Sequence, residues 1–135
     1  MKIFLDDDVF TLLPDGTFKR CPSKSYPGED RKNWVLTTNP HYAYELICDR
    51  PGEIDVVSFD NDIGTEFKDV QGNPLEGRHV LNWLEERAYF GLINLSKADL
   101  RVHSANTEAR RYMLQTIENI KKHSAVNYNS VGEEE

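Results

Sequence analysis

Cysteine is nearly absent. Cys21 and Cys48 are the two in 135 residues, and neither belongs to a CxxC pair or a metal-finger spacing. A disulfide framework and a thiolate zinc site are excluded as organising principles, and both thiols are expected to be free in a reducing compartment. Long apolar runs are missing too, so no segment reads as a membrane span. The opening MKIFLDDDVF reaches three aspartates too soon for a signal peptide, and the expected location is the cytoplasm. Positive charge is in deficit: 16 Lys and Arg stand against 23 Asp and Glu, a formal net charge of −7. A surface of that sign repels a nucleic-acid backbone, so duplex DNA is not an expected partner. A small phosphorylated ligand stays open, because a bound cation or a few local donors reverse the sign inside a pocket.

What is present suffices for one small core. Hydrophobic residues make up 39% of the chain, and the length fits a single domain. Lys2 to Leu5 reads as a buried strand that ends in Asp6-Asp7-Asp8. Residues 10–33 carry Pro14-Asp15-Gly16, Pro22, Pro27 and Gly28, the marks of a loop or hairpin insertion. Trp34 to Thr37 predicts a second strand. Asn39 caps a predicted helix with Pro40 at its first position, stopped by Pro51-Gly52. Ile54 to Phe59 is rich in β-branched residues and nearly continuous in hydrophobicity, as a central parallel strand should be; it ends in Asp60-Asn61-Asp62. Residues 65–77 read as loop. Val80, Leu81, Leu84 and Ala88 share one face of a helix over 78–88, which Gly91 ends. Asp99 to His103 predicts a last strand, leading into Ser104-Ala105-Asn106. Asn106 or Thr107 then caps a helix with a core stripe of Ala109, Met113, Ile117 and Ile120. The domain is expected to span 1–123, with a polar, acidic, disordered tail over 124–135.

This alternation of strands and helices predicts an α/β fold with a small parallel sheet of four to five strands, flanked by helices. Ligands of such sheets bind beyond the carboxyl ends of the strands. Three predicted strand ends carry polar groups there. Acids gathered so closely repel one another, and a hard divalent cation with oxygen ligands offsets that cost. Mg²⁺, or Mn²⁺, keeps open positions for phosphate oxygens. Asp6, Asp7 and Asp60 are the candidate ligands, since each closely follows an apolar strand. Asp62 serves equally as a site group or a loop cap, and Asp8 as a solvated acid. Ser104 is a candidate phosphate contact that also suits a turn. Asn106, at a helix N-terminus, is a candidate substrate-binding residue. His103 is a candidate proton carrier, although strand alternation turns His103 and Ser104 to opposite sides. Arg110 and Arg111 read as solvent-facing, Trp34 and Trp83 as core.

The three strand ends resemble those of two-component receiver domains: an acidic pair, an acceptor aspartate, and a Ser/Thr-Ala step. The resemblance implies a receiver-like (flavodoxin-like), three-layer arrangement, metal ligands at Asp6 and Asp7, an acceptor or third ligand at Asp60, and a phosphate contact at Ser104. The lysine that follows in receivers has no counterpart here. A closer resemblance joins Leu5-Asp6-Asp7, Ser58-Phe59-Asp60-Asn61-Asp62-Ile63-Gly64, the stretch Gly77 to Trp83, His103-Ser104-Ala105-Asn106 and Met113. This pattern is similar to the cyclic-phosphate processing receiver domains, small bacterial and phage proteins. Their histidine between the two aspartates is Asn61 in this chain. That resemblance implies metal-dependent processing of a cyclic phosphate on a nucleotide or RNA end. In such a phosphoesterase Asp60, Asp62, His103 and Ser104 would be catalytic, with proton movement by His103 or Asp62. An aspartyl-phosphate at Asp60 is a variant of the same chemistry. The alternatives are a non-catalytic module that binds metal, nucleotide or a protein partner, and an accessory protein that sequesters a nucleotide signal.

Overall fold

The computed structural model describes residues 1–7, 10–12, 15, 18–20 and 34–128. β1 (Lys2–Leu5) is followed by β2 (Phe10–Leu12) and β3 (Phe18–Arg20), an antiparallel pair that flanks a turn at Asp15. β4 (Trp34–Thr37) leads to α1 (Pro40–Asp49), one 3₁₀ turn (Pro51–Glu53) and β5 (Val56–Phe59). Then come α2 (Gly77–Tyr89), β6 (Asp99–Val102) and α3 (Thr107–Asn127).

The main sheet has the order β4-β1-β5-β6, and every pairing is parallel. Its register puts Leu5 opposite both Thr37 and Phe59, and Phe59 opposite Val102. The chain leaves β1 toward β4 on one side and returns to β5 on the other. The switch point of the sheet therefore lies between β1 and β5, where open α/β sheets bind ligands.

Period-two alternation sorts the strands onto two faces. Ile3, Leu5, Val57, Phe59, Leu100 and Val102 point into the main core. There they meet Ala43 and Ile47 of α1, Val80, Leu81, Leu84 and Ala88 of α2, and Met113, Ile117 and Ile120 of α3. All three described helices thus bury their apolar stripes in one core. Phe4, Trp34 and Leu36 form a smaller cluster of their own, with Val56 packed against it.

Local chemistry sets the helix ends. Asn39 Oδ1 accepts from the N–H groups of His41 (2.9 Å) and Tyr42 (3.2 Å), with Pro40 in the first turn. Asn106 Oδ1 accepts from Ala109 N–H at 3.0 Å. At the end of α2, Leu92 N–H reaches Arg87 O (2.9 Å) and Gly91 N–H reaches Ala88 O (3.1 Å). That double closure needs a left-handed residue, supplied by Gly91 at φ 71°.

Several sequence expectations shift. β5 begins at Val56, because Ile54 closes the preceding 3₁₀ turn onto Pro51 O. Residues 124–127, expected in the tail, belong to α3. Buried Ser124 accepts from Leu95 N–H at 3.1 Å, and Lys121 Nζ donates to the carbonyls of Ser96 and Ala98, so the segment before β6 holds this end of the helix in place. Burial pulls the Lys121 ammonium below its ordinary value. Cys48 is a free, half-buried thiol that burial pushes up; Cys21 lies outside the described residues. Among the described residues no helix is long and apolar enough to cross a membrane.

Fully buried Ile120 and exposed Leu114 share α3. Ile120→Ala is expected to lower unfolding stability by about 2–5 kcal/mol in urea denaturation, and Leu114→Ala by less than about 0.5 kcal/mol. Equal losses would mean that α3 does not face the core as described.

Candidate metal centre at the strand ends

The parallel ladder continues one residue past the strands. Asp6 N–H donates to Thr37 O (3.2 Å), Asp60 N–H to Leu5 O (2.9 Å) and His103 N–H to Phe59 O (3.0 Å). These bonds fix the backbones of Asp6, Asp60 and His103 in one row across three adjacent strands. Alternation gives them the same face as Phe4 and Ser58, opposite the main core.

One ligand atom from each of Asp6, Asp60 and His103 lies within 4.8 Å of the others. Asp6 is 3% exposed. Its Oδ2 stands 2.8 Å from His103 Nε2. The other ring nitrogen, Nδ1, is 2.6 Å from Ser58 Oγ. Phe4 stacks on the imidazole, with ring centroids 4.4 Å apart and planes 6° apart. The histidine is therefore held from both edges and one face.

Burial and then the negative charge of Asp6 push Asp60 up to about 6, against the opposing pull of His103 and of the Asn61 and Asp62 backbone N–H groups. Asp7 is exposed at the edge of the group. Partial burial, a side-chain hydrogen bond with Asp6, and the charges of Asp6, Asp62 and Asp60 push it up to about 6 as well. Negative charge is thus concentrated beyond what the local protein groups neutralise. Two carboxylates and an imidazole within a few ångströms fit a divalent cation.

The sequence expectation grouped Asp6, Asp7 and Asp60. The structure groups Asp6 and Asp60 with His103, and leaves Asp7 beside them, because adjacent residues leaving a strand diverge. Asp62 is exposed, and its Oδ1 accepts from Gly64 N–H at 3.1 Å in a tight turn. Ser104 is buried; its Oγ accepts from Asn106 N–H at 3.2 Å. Asn106 uses its side chain to cap α3. Arg110 and Arg111 are exposed, and Asp8 lies outside the described residues.

Two features were missed. The sequence pattern assigns no role to Ser58, although strand alternation puts it on the side of Asp60. The second is a clamp under the site. Asn61 is 5% exposed; its Nδ2 donates to Glu76 Oε2 (2.7 Å), its Oδ1 accepts from Arg78 N–H (3.3 Å), and its carbonyl accepts from Gly77 N–H (2.9 Å). Arg78 Nε in turn donates to Glu76 Oε1 at 3.0 Å. The start of α2 is thereby bound to the end of β5. Gly77 is required by closeness, since a Cβ there would overlap the Asp60 carbonyl oxygen.

The sequence model of the family described as the cyclic-phosphate processing Receiver domain matches residues 1–119. The chain belongs to that family, whose pattern spans every residue of the strand-end site and most of α3. No curated protein and no solved structure matches the chain.

Gly77→Ala is expected to cost about 1–3 kcal/mol in urea unfolding, because backbone rather than a flexible side chain must yield; an unchanged midpoint would show that the contact is slack. The acids set a pH dependence. In the folded chain Asp7 and Asp60 hold a proton up to about pH 6, above the ordinary 3.8. A raised carboxyl costs stability once both states are ionised, and that cost fades as pH falls through 6 toward 3.8. These groups therefore make the EDTA-treated protein more stable near pH 5 than near pH 7. Asp60→Asn is expected to flatten that slope and to be the more stable protein at neutral pH, and parallel slopes would remove Asp60 as its cause.

Proposed function

We propose that this receiver-like domain is a metal-dependent phosphoesterase that opens a cyclic phosphate on a nucleotide or an RNA end. The observation that carries the reading is the convergence of Asp6, Asp60 and His103 within 4.8 Å at the switch point of a parallel sheet. Asp6, Asp60 and His103 would hold Mg²⁺ or Mn²⁺, with Asp7 at the rim. When bound, the cation supplies Lewis-acid polarisation of a phosphoryl oxygen.

The chain's own residues account for the rest of the reaction. Ring opening forms one P–O bond to water and breaks one P–O bond to the sugar, while a proton passes from the water to the departing oxygen. Asp62, exposed beside the site, is the group proposed to move it, because a His103 that holds the cation and meets Ser58 through Nδ1 has no ring nitrogen left for the task. Ser104 and the start of α3 are the proposed contacts for the phosphate. In α3 the Ala109 N–H is taken by Asn106, whereas the N–H groups of Thr107 and Glu108 have no partner within the helix, as at any helix start. Phosphate charge and cation together offset the excess negative charge of the strand ends.

One observation favours a second reading, a module that binds cation or nucleotide without turnover. Asn61 occupies the place of the family's histidine; its amide carries no transferable proton and is committed to Glu76 and the start of α2.

Thermal unfolding with EDTA, Mg²⁺ and Mn²⁺, followed by a panel of 2′,3′-cyclic nucleotides and cyclic-phosphate RNA ends, separates the two. The enzyme reading expects cation-dependent stabilisation and turnover. Asp60→Asn should lose at least about 100-fold in kcat/KM, since removing even an outer-shell partner of a metal ligand costs about 10- to 100-fold. Stabilisation without product supports the binding module. An Asp60→Asn protein with wild-type turnover would sink the assignment of the site.

A further inference from the structure

We propose that Ser58 is a positioning residue for the cation site: its hydroxyl can donate to or accept from His103 Nδ1, and so lets the ring proton move to Nδ1 and frees Nε2 for a divalent cation. The inference rests on the reading of Asp6, Asp60 and His103 as that site, and it concerns a buried hydroxyl to which the proposed reaction gives no part.

Ser58 is 7% exposed, in the middle of a strand that pairs on both sides. Its Oγ lies 2.6 Å from His103 Nδ1, and His103 Nε2 lies 2.8 Å from Asp6 Oδ2. The order Ser–His–Asp is that of a nucleophilic triad, but the surroundings are not. The hydroxyl is packed beneath the imidazole, whose face is covered by Phe4, and it does not open toward a substrate. Its effect has to pass through the ring.

Proton arithmetic defines that effect. A neutral imidazole carries one N–H, and an ionised carboxylate only accepts. With Nε2 on Asp6, the proton sits on Nε2, Nδ1 accepts, and Ser58 donates. A cation on Nε2 needs that nitrogen's lone pair. The proton then belongs on Nδ1, and Ser58 must accept. A serine hydroxyl fills both roles by rotating about its C–O bond, with no movement of the backbone. A donor-only or acceptor-only neighbour would lock the ring in one of the two states. Outer-shell partners of this kind orient a metal-bound histidine. The consequence is a preference among cations. A nitrogen donor beside two carboxylates suits Mn²⁺ better than Mg²⁺, which favours oxygen alone.

Calorimetric titration with Mn²⁺ and with Mg²⁺ tests this on the wild type, Ser58→Ala, Ser58→Thr and His103→Ala, with the double variant Ser58→Ala/His103→Ala. Nitrogen NMR of the metal-free proteins reads the His103 tautomer. The wild type should bind Mn²⁺ more tightly than Mg²⁺ and show one Nε2–H form. Ser58→Ala should bind Mn²⁺ about 10- to 100-fold more weakly and lose most of the preference for Mn²⁺, while its metal-free form keeps the Nε2–H that Asp6 accepts. Ser58→Thr, which keeps the hydroxyl, should restore both. In the His103→Ala background, Ser58→Ala should change nothing further.

A Ser58→Ala protein with wild-type Mn²⁺ affinity overturns the proposal. So does a loss that persists without His103, because Ser58 would then act on packing alone. A wild type that binds neither cation overturns the cation reading itself; that failure is distinct, since it appears before any variant is compared.

Discussion

Hydrogen bonds that extend the parallel ladder one residue beyond three strands are the constraint on which the strand-end site depends. Asp6, Asp60 and His103 are each tied by the backbone N–H to a carbonyl of the neighbouring strand, so their side chains leave the sheet in one row and in one direction. No loop could hold two carboxylates this near each other without a comparable anchor, because their repulsion would separate them. The sheet supplies the anchor, and the apolar core beneath it supplies the free energy. The raised proton affinity of Asp60 records first its burial and then the repulsion from Asp6 that the fold holds in place.

Around this row the molecule is layered by function. The face bearing Ile3, Leu5, Val57 and Phe59 is closed by three helices around an apolar core. The opposite face carries Phe4 and Ser58, which grip His103. Loop 60–76 returns to the sheet through the Asn61–Glu76–Arg78 clamp and the close approach of Gly77 to Asp60. The same residues that start α2 therefore also limit how far Asp60 can move. In this chain Asn61 belongs to the support of the site.

Much of this was legible in the sequence. β1 and β4 fall where the apolar runs put them. Asn39, Pro40, Gly91 and Asn106 mark helix ends by chemistry confined to a few neighbouring residues. The acidic strand ends were legible too, since an apolar run stopping at aspartate is a local pattern. What was not legible depends on partners far along the chain. The choice of His103 over Asp7 beside Asp6 follows from register between strands, and the role of Asn61 from Glu76. The true end of α3 follows from Leu95 meeting Ser124. Each is a contact that composition and periodicity do not encode.

Asp6 and His103 are 97 positions apart, and β6 must join the sheet before they meet. The site therefore does not exist in any fragment that lacks the last strand. A cation that needs all three side chains would bind the folded chain and not the unfolded one, and would stabilise the native state by mass action. A chain that had failed to place its last strand would gain nothing from it.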